Sequence, residues 1–173
     1  MRSFIMVNAI LVLYAAVLVV NGQFLAGKVD AKSVWPVNII VGVIAIISAL
    51  YIGLIPGDSF SPFTATLLLL FGIVFVMMGI NLLMDLDGKS MGYYCLYGVP
   101  VCLIWSYTFF TTIGSQTFGV FCVIWAVLFG LFAGILAFQK DSWAGFTSKY
   151  CFMTAFVTLL IPAALMFNGV ALP

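Results

Sequence analysis

Acid–base, metal or strongly nucleophilic chemistry in this 173-residue chain would have to come from five aspartates, six basic side chains and four cysteines, because it contains no histidine and no glutamate. Without imidazole, a Ser-His-Asp triad, a His-based zinc site or a haem ligand cannot be assembled. Cys95, Cys102, Cys122 and Cys151 show no CxxC spacing and all fall in apolar runs. Free cysteine in such surroundings packs as a small hydrophobe, so neither a disulfide nor a metal site nor any cofactor is expected. Asp85 and Asp87 are the only acids close together, and they sit at the end of an apolar run, where solvation is the ordinary role. A membrane enzyme would need clustered acids or a nucleophile beside its base, and this chain offers neither.

The remaining chemistry is neutral. Asn8, Asn21, Asn38, Asn81 and Asn168 lie within or near the ends of apolar runs, and Ser48, Ser106, Thr108, Thr154 and Thr158 lie deeper. Singly, each is expected to form a hydrogen bond between helices, worth about 1 kcal/mol in a bilayer. Together they suit a path for a neutral polar solute. Aromatic residues make up 16% of the chain. At helical spacing they form stripes: Phe71, Phe75, Met78 and Leu82 on one face; Trp125, Leu128, Phe129 and Phe132 on another; and Val7, Leu11, Tyr14 and Leu18 on a third. Lipid-facing or packing surface is the bland reading of such stripes. The functional one is a narrow apolar slot in which flat rings stack on a flat solute.

The elements that must carry these residues follow from composition. Apolar residues make up 65% and charged residues 6%, against roughly a quarter charged in soluble domains. This excludes a soluble enzyme, a basic nucleic-acid binder and a disordered chain. The chain reads as an all-α integral membrane protein, a single domain over 1–173. A membrane helix needs about 20 mainly apolar residues. Cutting at the polar clusters gives six such stretches, near 4–26, 35–55, 62–84, 92–112, 117–139 and 150–170. The first run is too long for a signal-peptide core and lacks an A-x-A-like site, so it is read as a mature helix. Every Asp and Lys falls at a helix end or in a break, which argues against proton relays, pumps and voltage sensors.

Orientation follows from the lysines. Lys28, Lys32, Lys89, Lys140 and Lys149 occupy breaks one, three and five, while only Arg2 lies on the other side. The positive-inside rule then puts those breaks in the cytoplasm and both termini outside, in a cytoplasmic (inner) membrane. Asp30-Ala31-Lys32-Ser33 and Asp87-Gly88-Lys89-Ser90 share Asp-x-Lys-Ser 57 residues apart, and Leu-Phe-Gly at Leu70 recurs at Leu128. These point to three helical hairpins, each turning at a charged loop. Ser33, Ser90 and Ser142 are candidate N-caps, and Ser61-Pro62 reads as a cap followed by proline at the first helical position. Pro100 and Pro162 are expected to kink spans four and six. Gly130-x-x-x-Gly134 is a small-xxx-small packing motif, and Trp35, Trp105 and Trp143 are placed as interfacial anchors.

Several of these blocks resemble one family. Asn21-Gly22, Lys28-Val29-Asp30-x-Lys32-Ser33, Asn38 and Val41-Gly42 resemble the opening of the urea/amide channel (AmiS/UreI) family. Leu69-Leu70-Phe71-Gly72 with Asn81 resembles its third helix, and Phe146-Thr147 with Ile161-Pro162-Ala163 its last hairpin. The resemblance implies a passive channel for urea or short aliphatic amides. It also implies a homohexamer in which each protomer has a pore lined mainly by helices one, three and five. By the same resemblance, Phe71 and Phe75 match an aromatic pair in the constriction, Leu18 an apolar residue facing them, and Trp125 one of several tryptophans there. Leu128, Phe129 and Phe132 stand where the acid-gated gastric member has further tryptophans. That member also has a long histidine-bearing second loop, here Pro56 to Ser61, and a glutamate where this chain has Thr154.

The mechanism expected is single-file passage through a Phe71/Phe75/Trp125 slot, between vestibules offering neutral hydrogen-bond partners such as Asn81. With no group titrating near pH 6, flux should not depend on pH between 5 and 8. Competing readings are a channel for another small neutral solute (water, ammonia or a polyol) and a non-conducting membrane scaffold.

Overall fold

A computed structural model describes residues 2–54 and 61–173. The second break, Pro56 to Ser61, lies outside the described residues but for the backbone of Ser61, as do the side chains of residues 2–5, so the Ser61 cap and the shape of that short loop are not described. Among the described residues, six helices are long and apolar enough to cross a membrane. In a bilayer each backbone N–H and C=O must be satisfied within the segment, and runs this apolar close those bonds as helices. They are α1 (Arg2–Leu25), α2 (Ala31–Gly53), α3 (Ser61–Met84), α4 (Lys89–Thr108), α5 (Gln116–Leu136) and a last span made of α6 (Ala144–Thr154) and α7 (Ile161–Phe167).

The polar breaks terminate the helices, though not always through the expected residues. Asp30, not Ser33, is the N-cap of α2: its carboxylate accepts the Ser33 backbone N–H at 2.8 Å, and the Ser33 hydroxyl donates back to the Asp30 carbonyl. The Ser33 backbone N–H, and after it the Ser33 side chain, hold the Asp30 carboxyl below its ordinary pKa. Ser90 does not cap α4 either; Gly88 takes that position in the left-handed conformation, and Asp87 accepts the Lys89 N–H at 3.0 Å. In both copies of Asp-x-Lys-Ser the aspartate is therefore the acceptor, because a carboxylate is the stronger partner for the exposed first N–H groups. Ser142 lies in a short 3-10 turn, Asp141–Trp143, and makes no cap. Ser115 caps α5, accepting from Phe118 N–H.

The last span begins earlier than expected. Helix resumes at Ala144, so Lys149 lies within α6 rather than in the fifth break, on an exposed face. A hydropathy cut cannot find this turn, because its buried side chains, Thr147 and Ser148, are polar. Helix α4 runs on through Pro100, and its irregular part is a widened π-helical stretch at Phe109–Ile113. A second π-helical stretch, Ala155–Leu160, separates α6 from α7 just before Pro162. Proline has no N–H for the carbonyl four residues back, and here Ile161 N–H instead bonds Phe156 O, five back.

The helices form a closed ring in chain order, with α1 against the last span completing it. The chain reverses at the three lysine-bearing breaks, yet the longest side-by-side packing is between α2 and α3, between α4 and α5, and between α1 and the last span. Glycine explains the first of these pairs. A Cβ on Gly42 would sit 2.8 Å from Gly72 O, so only glycine allows the backbones to approach this closely. Gly134 accommodates the Trp143 ring rather than a second helix, and Gly130 has nothing closer than 3.9 Å to an added Cβ. The small-xxx-small pair thus makes no helix crossing within the chain.

Buried polar groups tie the ring together. Asn21 and Asn38 exchange two amide hydrogen bonds, 3.0 and 2.7 Å long, and Ser148 Oγ donates to Gly22 O at 2.7 Å. The block Asn21-Gly22…Asn38 is thus the junction of α1 with α2 and with the last span. Ser106 Oγ similarly donates to Gly119 O, joining α4 to α5. All four cysteines are buried and free. The apolar faces left outward are mainly on α2 (Ile40, Ile47, Leu50) and α4 (Tyr93, Tyr97, Ile104).

Candidate functional site

Helices α1, α3 and α5 start on the side of the chain termini and run toward the lysine-bearing breaks. Their inward stripes meet on the ring's axis. Tyr14 from α1, Phe71 and Phe75 from α3, and Trp125 and Phe129 from α5 are all buried there. Phe71 is the hub: its ring centroid lies 5.7 Å from Tyr14, 5.4 Å from Trp125 and 5.0 Å from Phe129. Trp125 stands nearly edge-on to Phe71, at 79°, and Tyr14 edge-on to Phe75 at 5.1 Å and 75°. These are the separations and tilts that aromatic quadrupoles favour. Gly98 of α4 presses this cluster from behind, since a Cβ there would lie 2.8 Å from the Phe129 ring.

Two cavities flank the cluster and both touch Phe71. The larger, of about 390 Å³, lies toward the termini, between Leu11, Tyr14, Leu68, Phe118, Trp125 and Met166. The smaller, of about 20 Å³, lies toward the lysine side, between Leu18, Asn21, Phe75, Leu128, Phe129 and Phe132. The first is the size of a small-molecule pocket; the second holds about one water. Because α1, α3 and α5 run in the same direction, the order of residues along each fixes the order of the cavities. Phe71, which lines both, lies between them with its ring neighbours.

The polar atoms of the cluster are already engaged. Tyr14 OH donates to Leu68 O at 2.6 Å, and Trp125 Nε1 donates to Thr158 Oγ1 at 2.8 Å. The buried polar side chains are all neutral: Asn8, Asn21, Asn38, Ser106, Thr147, Ser148, Thr154 and Thr158; among the described residues no charged side chain is buried. Burying an ion among these rings would cost far more than burying a neutral solute.

Of the residues singled out in the sequence, Leu11, Phe71 and Trp125 border the larger cavity, and Leu18, Phe71, Phe75, Leu128, Phe129 and Phe132 the smaller. Asn81 borders neither. It sits at the end of α3 beside the turn at Gly88, its side-chain nitrogen buried without a partner. Tyr14 belongs at the centre although only its place on the α1 stripe marked it. The last span contributes Leu159, Met166 and Thr158, which no inward stripe announced, because the π-helical stretch breaks the 3.6-residue period there.

The described residues thus form a six-helix ring, apolar enough to cross a membrane, with an aromatic cluster between two axial cavities. Residues 6–170 match the family described as AmiS/UreI family transporter, and the chain belongs to that family. It is 30% identical over 155 residues to a protein of Rhodococcus erythropolis assigned as transporter AmiS2, covering 89% of this chain and 75% of that one. A protein of Mycolicibacterium smegmatis assigned as an amidate substrates transporter is 28% identical, over 89% of this chain and 73% of that one. In three dimensions the chain resembles the Helicobacter pylori urea channel in its closed state, with a TM-score of 0.83 at 22% identity, over 93% of this chain and 97% of that one. The crystal structure of that channel gives 0.81 at 20% identity, over 95% and 99%.

Proposed function

We propose that the chain is a passive channel for urea and short aliphatic amides in the cytoplasmic membrane. The observation that carries this reading is the closure itself: edge-on and tilted aromatic rings between two cavities, with no buried charge among the described residues. A planar amide can slide edgewise between rings and recover by stacking part of the hydration it sheds, whereas an ion cannot. Phe71, Phe75, Trp125 and Phe129 form the slot; Leu11 faces its terminus-side mouth, and Leu18, Leu128 and Phe132 its lysine-side mouth. Net binding stays weak, as rapid conduction requires. The names of the related proteins, an amidate substrates transporter and a urea channel, support the choice of permeant.

In this reading the whole chain is one channel unit. The lysine-bearing breaks face the cytoplasm, the termini face outward, and the exposed apolar faces of α2 and α4 meet lipid and neighbouring protomers in a homohexamer. No histidine or glutamate is present to sense acid, so the channel is not acid-gated. The test is permeability of purified protein in liposomes to urea, acetamide and glycerol, by stopped-flow light scattering. Urea and amide flux well above empty liposomes, with slow glycerol, is expected. Permeabilities equal to empty liposomes for all three solutes would refute the channel.

A further inference from the structure

Thr158 is fully buried on the π-helical stretch, opposite Trp125. Its hydroxyl makes two bonds with fixed sense. It donates its one proton to Thr154 O at 2.8 Å and accepts the Trp125 Nε1 proton at 2.8 Å. An indole nitrogen only donates and a hydroxyl has a single proton, so neither bond can reverse. The widened turn, imposed ahead of Pro162, is part of the stretch that packs against α1 and brings Thr158 inward. Trp125 in turn stands edge-on to Phe71, the ring that separates the two cavities.

We propose that Thr158 is a positioning residue for selectivity: it clamps the Trp125 indole edge-on to Phe71, and so sets the width of the slot and removes the indole N–H from the path. It rests on the channel reading above. A permeant then meets no hydrogen-bond donor at the narrowest point and is sorted by shape and hydration alone. Removing the acceptor while keeping the volume, as in Thr158→Val, leaves the indole N–H without a partner inside a dry bundle. The ring then turns to find another acceptor, the permeant's carbonyl included.

The test compares the parent protein with Thr158→Ser, Thr158→Val and Thr158→Ala. Each carries 5-fluorotryptophan, and the position-125 ¹⁹F resonance is assigned by its loss in Trp125→Phe. Urea and acetamide permeabilities in proteoliposomes give a ratio that the amount of folded channel does not alter. Serine restores the acceptor, so Thr158→Ser should keep both the resonance and the ratio. Thr158→Val should move or broaden the resonance and change the ratio threefold or more; Thr158→Ala answers the same question should the valine variant not fold. A valine or alanine variant that conducts with parental ratio overturns the proposal, whether or not the resonance moves. So does a serine variant that behaves like valine. If the parent conducts neither solute while the resonance responds as expected, the clamp is real and the channel reading fails.

Discussion

Phe71→Ala is the perturbation that probes the closure most directly. The phenyl ring touches Tyr14, Phe75, Trp125 and Phe129 and borders both cavities. Its removal should join the cavity of about 390 Å³ to that of about 20 Å³. Two magnitudes follow. Deleting a buried phenyl destabilises a packed core by about 3–5 kcal/mol, so thermal unfolding in detergent should fall clearly. Phe71→Leu, which fills most of the space, should lose much less. For conduction, a continuous water-wide path spares the solute part of its desolvation, which costs roughly 2–7 kcal/mol for an unpaired polar group. Even the recovery of about 1.4 kcal/mol is a tenfold change in rate. Glycerol gains most, because it cannot stack and sheds the most hydration in the intact slot. The glycerol-to-urea permeability ratio should therefore rise at least about tenfold in proteoliposomes. A folded Phe71→Ala channel with an unchanged ratio would refute the assignment of Phe71 as the barrier between the cavities.

Three further outcomes are expected. Asn38→Leu should destabilise the bundle by about 1–2 kcal/mol in detergent unfolding, because it strands both Asn21 amide groups; Asn21→Leu with Asn38→Leu should cost less than the two singles added, since no unpaired amide remains. Gly42→Ala should cost about 1–3 kcal/mol by the same measurement, since its Cβ meets backbone atoms, Gly72 O at 2.8 Å and Val76 N at 2.9 Å, that cannot turn aside. Urea flux and melting temperature should be flat between pH 5 and 8: the Asp30 carboxyl is held below its ordinary value, so its capping contribution is complete above about pH 4 and is lost only as pH falls through the lowered pKa. A tenfold activation by acid would contradict that prediction.

The sequence alone determined the membrane class, the six spans and the absence of imidazole chemistry, because these depend on composition and on runs of apolar residues, which are local. Its helical periodicity also selected the residues that share the axis. Phe71 and Phe75 on α3, and Trp125, Leu128, Phe129 and Phe132 on α5, lie on the inward faces. The motif Asn21-Gly22…Asn38 was legible as polarity within apolar runs, although its role as a junction of three helices required the partners. At Ser33 and Ser90 residue type is ambiguous, because serine and aspartate both favour the N-cap, and only geometry shows that the oxygens of Asp30 and Asp87 reach the free N–H groups.

Tertiary structure alone decided the rest. The order of packing, α2 on α3, α4 on α5 and α1 on the last span, comes from where glycines and buried amides allow or require contact between residues far apart in the chain. Asn81 was a reasonable candidate for the path, yet its place at the end of α3 keeps it off both cavities. Thr158 was one neutral hydroxyl among several until a π-helical stretch shifted the helical phase and put it opposite Trp125. A change of phase within a helix leaves no mark in hydropathy, so the side chain that holds the slot's indole becomes visible only when the helices are assembled.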